Sequence, residues 1–220
     1  DNTGWRLDGE AHYVLDGDIA DVVLVAARSS APHETGELVA LFEIEPAAAR
    51  REATAAMDPT RRLARVTFDA TPARRLGEID LPRVRDIACA ALAAEQVGAA
   101  ARALELTVAY AKTRVQFGQP IGALQALKHR MADMYVLVES ARSAAYAAAA
   151  DPSGYAPVAK VYCSEALQHV TAEMIQLHGG IAITWEHNAH LYFKRGHGSA
   201  QLLGQPRDHI ARVSLPHPNG

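Results

Sequence analysis

The sequence predicts an α+β chain: a partial antiparallel β domain over residues 1–80, then an antiparallel four-helix bundle over residues 81–220. Three observations predict it. The texture changes near residue 80, from short β-rich runs punctuated by Gly and Pro to long Ala-rich stretches. Beyond that point apolar residues recur mostly at three- and four-residue steps, the period of a helix packed on one side. Two glycine-bearing breaks, at 114–122 and 176–184, then divide the helical stretch into segments. With 220 residues, 49% of them apolar, the chain has material for one large domain or two small ones.

In the first domain, Asp8-Gly9 and Asp16-Gly17 are tight-turn dipeptides that bracket a short run with Tyr13 and Val14. Strand runs follow at Val22–Ala27, at Leu38–Ile44, and at Leu63 with Arg65–Phe68, separated by loops holding Pro32, Gly36, Pro46 and Pro59. The opening Asn2-Thr3-Gly4-Trp5 reads as a turn between strands, so the chain is expected to be a fragment. In the second domain, Val84, Ala88, Ala91, Val97 or Gly98, Leu104, Val108 and Ala111 mark a helix over Arg83–Lys112. A second helix over Leu124–Ala149 carries Leu127, Met131, Met134, Val138, Ala141, Ala145 and Ala148 on one stripe, and Asp151-Pro152-Ser153-Gly154 ends it. A third, over Pro157–Leu177, buries Val161, Leu167, Val170 and Met174 and stops at Gly179-Gly180; a fourth begins near Glu186 and continues to Leu203. Small alanine faces permit close helix approach.

Charge excludes some functions. Twenty-two Lys+Arg stand against 25 Asp+Glu, a net charge of −3, so no basic field exists to bind nucleic acid or an anionic membrane surface. Apolar runs such as Ile87–Ala94 are interrupted well short of the roughly 20 residues of a membrane span. Cys89 and Cys163 lack CxxC spacing and read as reduced core thiols, which with no visible signal peptide predicts a cytoplasmic protein. Ten histidines invite a metal hypothesis, but a di-iron bundle needs Glu-x-x-His pairs. Glu165 with His169 is one residue too wide and His187 with His190 has no carboxylate at the needed step, so no metal is expected. Neither a serine-hydrolase elbow nor a Walker loop is present.

The informative segments are the two breaks. The first reads Arg114-Val115-Gln116-Phe117-Gly118-Gln119-Pro120-Ile121-Gly122, and the second Gln176-Leu177-His178-Gly179-Gly180-Ile181-Ala182-Ile183-Thr184. An arginine can pair with a pyrophosphate, an aromatic can lie along a flavin or adenosine edge, and a Gly-Gly turn lets backbone amides approach a dinucleotide. Together the breaks resemble the signatures of the acyl-CoA dehydrogenase family, flavoproteins that introduce a trans double bond between Cα and Cβ of an acyl-CoA. The resemblance covers essentially the whole chain, as about the last three fifths of a typical member: residues 1–80 look like its middle β domain, incomplete here, and 81–220 like its C-terminal helical domain.

The resemblance implies FAD as cofactor and an acyl-CoA as substrate. It also implies electron-transfer flavoprotein or a similar acceptor as partner, and a homo- or hetero-tetramer. Arg114 would meet the pyrophosphate, Gln116 and Phe117 would line the adenosine-flavin path, and Gln176, Gly179 and Gly180 would supply further contacts, to FAD bound mainly by a neighbouring subunit. The chain departs from the family where a third glycine is common, at Ala182, and where a flavin-bonding threonine is common, in Asp21-Val22-Val23. The family's carboxylate base, which removes the pro-R α-proton, occupies one of two positions; these are Ala88 and Gly204 here. Glu95, seven residues beyond Ala88 on nearly the same helix face, is the remaining candidate base. Its other reading is a packing glutamate paired with Arg102 or with an arginine on a neighbouring helix. The Ala93–Gly98 and Tyr192–Arg195 runs resemble actinobacterial heterotetrameric members, including those for steroid side chains, in which one subunit keeps the base and the other completes the FAD site.

Overall fold

A computed structural model describes residues 4–28 and 39–213. The chain divides into two compact units, Asp1–Leu81 and Pro82–Gly220. The predicted loop positions Pro32 and Gly36, the strand residue Leu38 and the opening Asn2-Thr3 lie outside the described residues.

The first unit is an antiparallel sheet of β1 (Trp5–Leu15), β2 (Val23–Arg28), β3 (Val39–Ile44), β4 (Arg50–Thr54) and β5 (Leu63–Glu78). β5 organises it. β1 pairs along it from Trp5↔Ala73 to Leu15↔Leu63, while β4 pairs with Leu63–Thr67 and β3 with Ala73–Glu78. β2 completes the order by pairing with β3. Alternate residues of β3 are buried, which places Ala40, Phe42 and Ile44 in one core with Leu7, Val23, Val66 and Phe68. Trp5 meets Phe42 edge to face at 5.5 Å.

Two sequence expectations need correction here. Asp8-Gly9 is no turn: it lies inside β1, where the register shifts between Leu7 and Gly9. The local distortion signalled by the dipeptide is absorbed as a bulge, with Gly9 at φ 128° and Ala70 opposite at φ 44°. The Asp8 carboxylate accepts the Ala70 amide at 2.7 Å and Arg6 donates to the Ala70 carbonyl at 2.8 Å. Asp16-Gly17 does turn the chain, with Asp16 at φ 51°. β4 was not anticipated, because Arg50–Thr54 is polar and largely exposed and so has no apolar alternation to read.

The second unit contains α1 (Leu81–Thr113), a short hairpin of β6 (Val115–Gln116) and β7 (Gln119–Pro120), α2 (Gln125–Ala150), α3 (Pro152–His178), α4 (Ala189–Gln201) and α5 (Pro206–Ile210). α3 starts five residues before the expected Pro157. Asp151 both ends α2 and caps α3, its carboxylate accepting the Gly154 amide at 3.1 Å, and Pro152 takes the first helical position, where no amide is needed. α4 is shorter than predicted because Gly179–Ile183 forms a 3-10 turn and Glu186–Asn188 remains non-helical.

Side-chain bonds fix how the helices run. Gln96 donates to Ser164 Oγ at 3.0 Å and Tyr110 to the His178 carbonyl at 3.3 Å; both pairs are 68 residues apart, so α1 and α3 lie parallel in one register. Arg130 grips Glu173 through two bonds of 2.6 and 2.9 Å, and the Cys163 thiol donates to the Ala141 carbonyl at 3.4 Å, so α2 runs opposite to α3. One stretch of the core holds Leu104, Met134, Val138, Leu167, Val170 and Met174. The other is built from alanines such as Ala93, Ala141, Ala148 and Ala159 around Cys163, whose thiol burial pushes up to about 12. α1 includes a stretch long and apolar enough to cross a membrane by composition, and half of that stretch is buried inside the chain. A Cβ at Gly196 would lie 3.0 Å from Thr171 Oγ1, so α4 packs closely on α3.

Lys160 is fully buried, its ammonium donating to Ser164 Oγ at 3.2 Å and to the Ser199 and Ala200 carbonyls at 3.3 and 3.0 Å. These carbonyls belong to the last turn of α4, the negative end of its dipole. Beyond α4, buried His209 donates Nε2–H to the Leu203 carbonyl at 2.8 Å and accepts from Arg212 at Nδ1 at 3.0 Å, while Arg212 also pairs with Asp86 of α1. Burial lowers the His209 pKa, as do the nearby Arg212, Lys160 and Arg85 charges, against the raising effect of the Leu203 bond.

Two stability predictions follow from these buried groups. Lys160→Met leaves the α4 carbonyls without their donor and is expected to cost about 2 kcal/mol in urea unfolding. At His209 the unfolded chain takes up a proton that the folded chain resists. Its contribution is therefore complete above about pH 6.5, the ordinary imidazole value, and is lost as pH falls from there toward the lowered folded-state value. Denaturation midpoints at pH 7.5 and 5.5 should differ more for the parent than for His209→Gln, which keeps a donor and an acceptor but cannot titrate in this range.

Candidate functional site

The first break begins where α1 ends. The Arg114 amide still bonds to the Tyr110 carbonyl at 2.8 Å, and the Arg114 carbonyl accepts from Ile121 at 2.8 Å to close the β6–β7 hairpin. Phe117 and Gly118 make its tip with φ of 52° and 77°, the paired positive values of a tight hairpin turn. Phe117 is 91% exposed, and Arg114 and Gln116 are exposed beside it. The Arg114 guanidinium makes no side-chain bond or ion pair with the described residues. Behind the hairpin, a Cβ at Gly122 would sit 2.9 Å from the Ala111 carbonyl oxygen, so the glycine lets this segment press back onto α1.

The second break ends α3. Gly179 has φ 66° and ψ −145°, a backbone region open to glycine and costly for other residues, and its amide bonds to the Ile175 carbonyl. Gln176, Gly179 and Gly180 are exposed, and a Cβ at Gly180 would meet nothing within 4 Å. The backbone is approachable there. Ala182, at the position where a third glycine was expected, is fully buried in the core with Leu177 and Met174, so its methyl group serves packing.

Tyr110 brings the two breaks together. Its ring stacks on His178 with centroids 4.4 Å apart, and His178 in turn lies 4.6 Å from His187. His178 is buried; its Nδ1–H donates to the Met174 carbonyl at 2.8 Å and its Nε2 has no partner. Burial lowers its pKa first, helped by His187 and opposed by the Met174 bond. In the sequence His178 stands within the second break with no role assigned, His187 reads only as a metal candidate beside His190, and Tyr110 carries no signal of its own. The signal was the pairing of aromatic residues one before Gly179 and four before Arg114, which needs the helix register to interpret.

Neither Ala88 nor Gly204, the two positions expected for a base, carries a carboxylate. Ala88 is half-buried on α1, and Gly204 has φ 95°, with the place of a Cβ only 3.1 Å from His209 Nε2. Glu95 is 43% exposed in its side chain, and its Oε1 accepts from Arg195 of α4 at 3.1 and 3.2 Å. Arg102, the other partner considered, pairs with Glu105. Val23, in the segment where the flavin-bonding threonine was sought, is buried in the sheet core. Among the described residues no group of three or more His, Cys, Asp or Glu converges as a metal site would require. A cavity of about 280 Å³ that was not foreseen is lined by Ile175, Ile183, Trp185, His190, Phe193 and Lys194, with the Lys194 ammonium 4.9 Å from the Trp185 ring.

Comparison with known proteins supplies the family. Residues 87–203 match the model of the acyl-CoA dehydrogenase C-terminal domain. Acyl-CoA dehydrogenase IpdE2 of Mycolicibacterium smegmatis is 50% identical over 202 residues, covering 91% of this chain and 60% of the relative. A solved variant of the Tcur3481-Tcur3483 steroid ACAD superposes with a TM-score of 0.85 at 33% identity over 97% of this chain and 59% of its own. The ChsE4-ChsE5 complex of Mycobacterium tuberculosis gives 0.87 at 27% identity over 98% and 62%. The chain thus spans about three fifths of the length of these relatives. With the family model covering more than half of the chain and the antiparallel sheet and helical unit matching solved members, this chain belongs to the acyl-CoA dehydrogenase family.

Proposed function

We propose that this chain works in an FAD-dependent acyl-CoA dehydrogenase assembly as the subunit that completes a flavin site and leaves proton abstraction to a base on another subunit. One observation carries the reading. The Tyr110–His178 contact brings Arg114 and the Gly179-Gly180 turn to the same end of the helical unit, while Ala88 and Gly204 offer no base and Glu95 is engaged by Arg195. The residues present fit the cofactor: an exposed guanidinium without a side-chain partner among the described residues, an exposed aromatic ring at a hairpin tip, and approachable glycine amides.

When bound, FAD supplies the acceptor for the substrate β-hydride. The chain's own groups then bind and orient. Arg114 offers paired donors and a full charge to a pyrophosphate oxygen. The Gly179 and Gly180 backbone lets a ligand approach without meeting a side chain, and Gln116 and Gln176 offer amide donors and acceptors. Phe117 presents an apolar face that excludes water from whatever it covers. Glu95 holds α1 to α4 through Arg195 and so keeps the helices that carry the breaks in place. The structural relation to a steroid ACAD supports a steroid or branched acyl-CoA thioester as substrate, and membership of the family supports electron-transfer flavoprotein or a similar acceptor as electron partner.

The test is made on the purified flavin-bearing assembly. Arg114→Ala is expected to weaken FAD retention at least tenfold, read by flavin released on gel filtration. Glu95→Gln should leave dye-coupled turnover within about threefold. A loss of several orders of magnitude with Glu95→Gln would instead make Glu95 the base and overturn the base-free reading.

A further inference from the structure

The Tyr110–His178–His187 stack stands out because it is not what burial alone would select. His178 is 4% exposed, yet its Nε2 is buried without a partner. A leucine there would keep the apolar burial and remove the orphan atom, an unpaired buried acceptor being destabilising. What an imidazole provides and a leucine cannot is a flat ring with a polar edge. The ring stacks on Tyr110 and meets His187 at a tilt, with Tyr110 and His187 themselves edge to face at 6.4 Å, and Nδ1–H fixes its rotation by bonding to the Met174 carbonyl one turn back.

Each member of the stack is tied to a different piece of the candidate cofactor surface. The Tyr110 carbonyl receives the Arg114 amide, and its hydroxyl donates to the carbonyl of His178, the residue directly before Gly179. His187 Nδ1 accepts the Ala189 amide at 3.1 Å and so holds the start of α4. The Arg114 hairpin, the Gly179-Gly180 turn and the entry to α4, separated by as many as 68 residues between stacked rings, are therefore joined through three rings.

We infer that Tyr110 and His178 are positioning residues that set the arginine hairpin and the double-glycine turn at a fixed mutual geometry before FAD binds, the orphan Nε2 being tolerated to keep the stack. This rests on the proposed function and concerns how the site is built. Preorganisation of this kind raises affinity by sparing the ligand the cost of ordering two segments.

The two roles available to His178 predict opposite results for His178→Leu. If the ring serves only to fill the core, removal of the orphan nitrogen leaves the thermal midpoint unchanged or raised and FAD dissociation unchanged. As a positioning residue, it should leave the midpoint unchanged or raised while FAD dissociation from the intact assembly speeds about tenfold. Tyr110→Leu should weaken retention similarly, and Tyr110→Phe, which keeps the ring, should restore most of it. The double variant Tyr110→Leu/His178→Leu should be no worse than either single change, because both act through one contact. Unchanged FAD retention in a flavin-bearing His178→Leu assembly, or additive losses in the double variant, overturns this inference alone. A parent assembly that contains no flavin overturns the proposed function and this inference with it.

Discussion

The parallel, in-register packing of α1 along α3 is the constraint on which the rest of the helical unit depends. It is set by two polar contacts with the same 68-residue offset, Gln96 to Ser164 and Tyr110 to His178. The two contacts are fourteen residue steps apart on each helix, about 21 Å, so a slip by one residue would break both at once. Apolar packing in the alanine-built stretch around Ala93 and Ala159 would not specify this register, because alanine faces are interchangeable over a turn. The polar pairs convert a permissive face into one alignment. That alignment in turn decides that the segment after α1 and the segment after α3 emerge side by side.

Lys160 plays the corresponding part at the other end of α3. A buried ammonium is expensive unless its donors are met, and here Ser164 and two carbonyls at the end of α4 meet them. Because Ser164 is also the acceptor for Gln96, one hydroxyl links Gln96 of α1 to Lys160, whose other bonds reach the end of α4. The consequence reaches the loop that follows α4. With the helix end pinned and His209 bonded to Leu203, Gly204 has a left-handed backbone with the histidine ring against it. A glutamate at this position would need a strained backbone and a displaced His209, so the missing carboxylate matches a loop shaped around glycine.

Much of this architecture was legible in the sequence, for reasons particular residues make plain. The long helices were readable because Met134, Val138, Leu167 and Met174 recur at helical spacing and are all buried. The two breaks were readable because Phe117-Gly118 and Gly179 carry the positive φ angles that sequence punctuation marks. β4 was not readable, since Arg50–Thr54 belongs to the sheet through its pairing with β5 and buries little. The bulge at Asp8-Gly9 was misread because the same dipeptide serves a turn or a bulge, and only β5 alongside decides which. At the candidate site, exposed ligand-type side chains were visible as motif letters. The stack behind them was not, because it joins residues whose proximity exists only after α1 and α3 have found their register.

The same geometry sets how far apart the two ends of the helical unit lie. α4 runs back along α3 from the double-glycine end, and its last turn is held by Lys160, eighteen residues before His178. That places the loop around Gly204 about 27 Å along the bundle from the Gly179 turn, five turns of helix away. The exposed Arg114 hairpin and double-glycine turn therefore stand at one end of the helical unit and the Gly204 loop at the other, and the Tyr110–His178 contact and Lys160 fix these opposite ends of α3 separately.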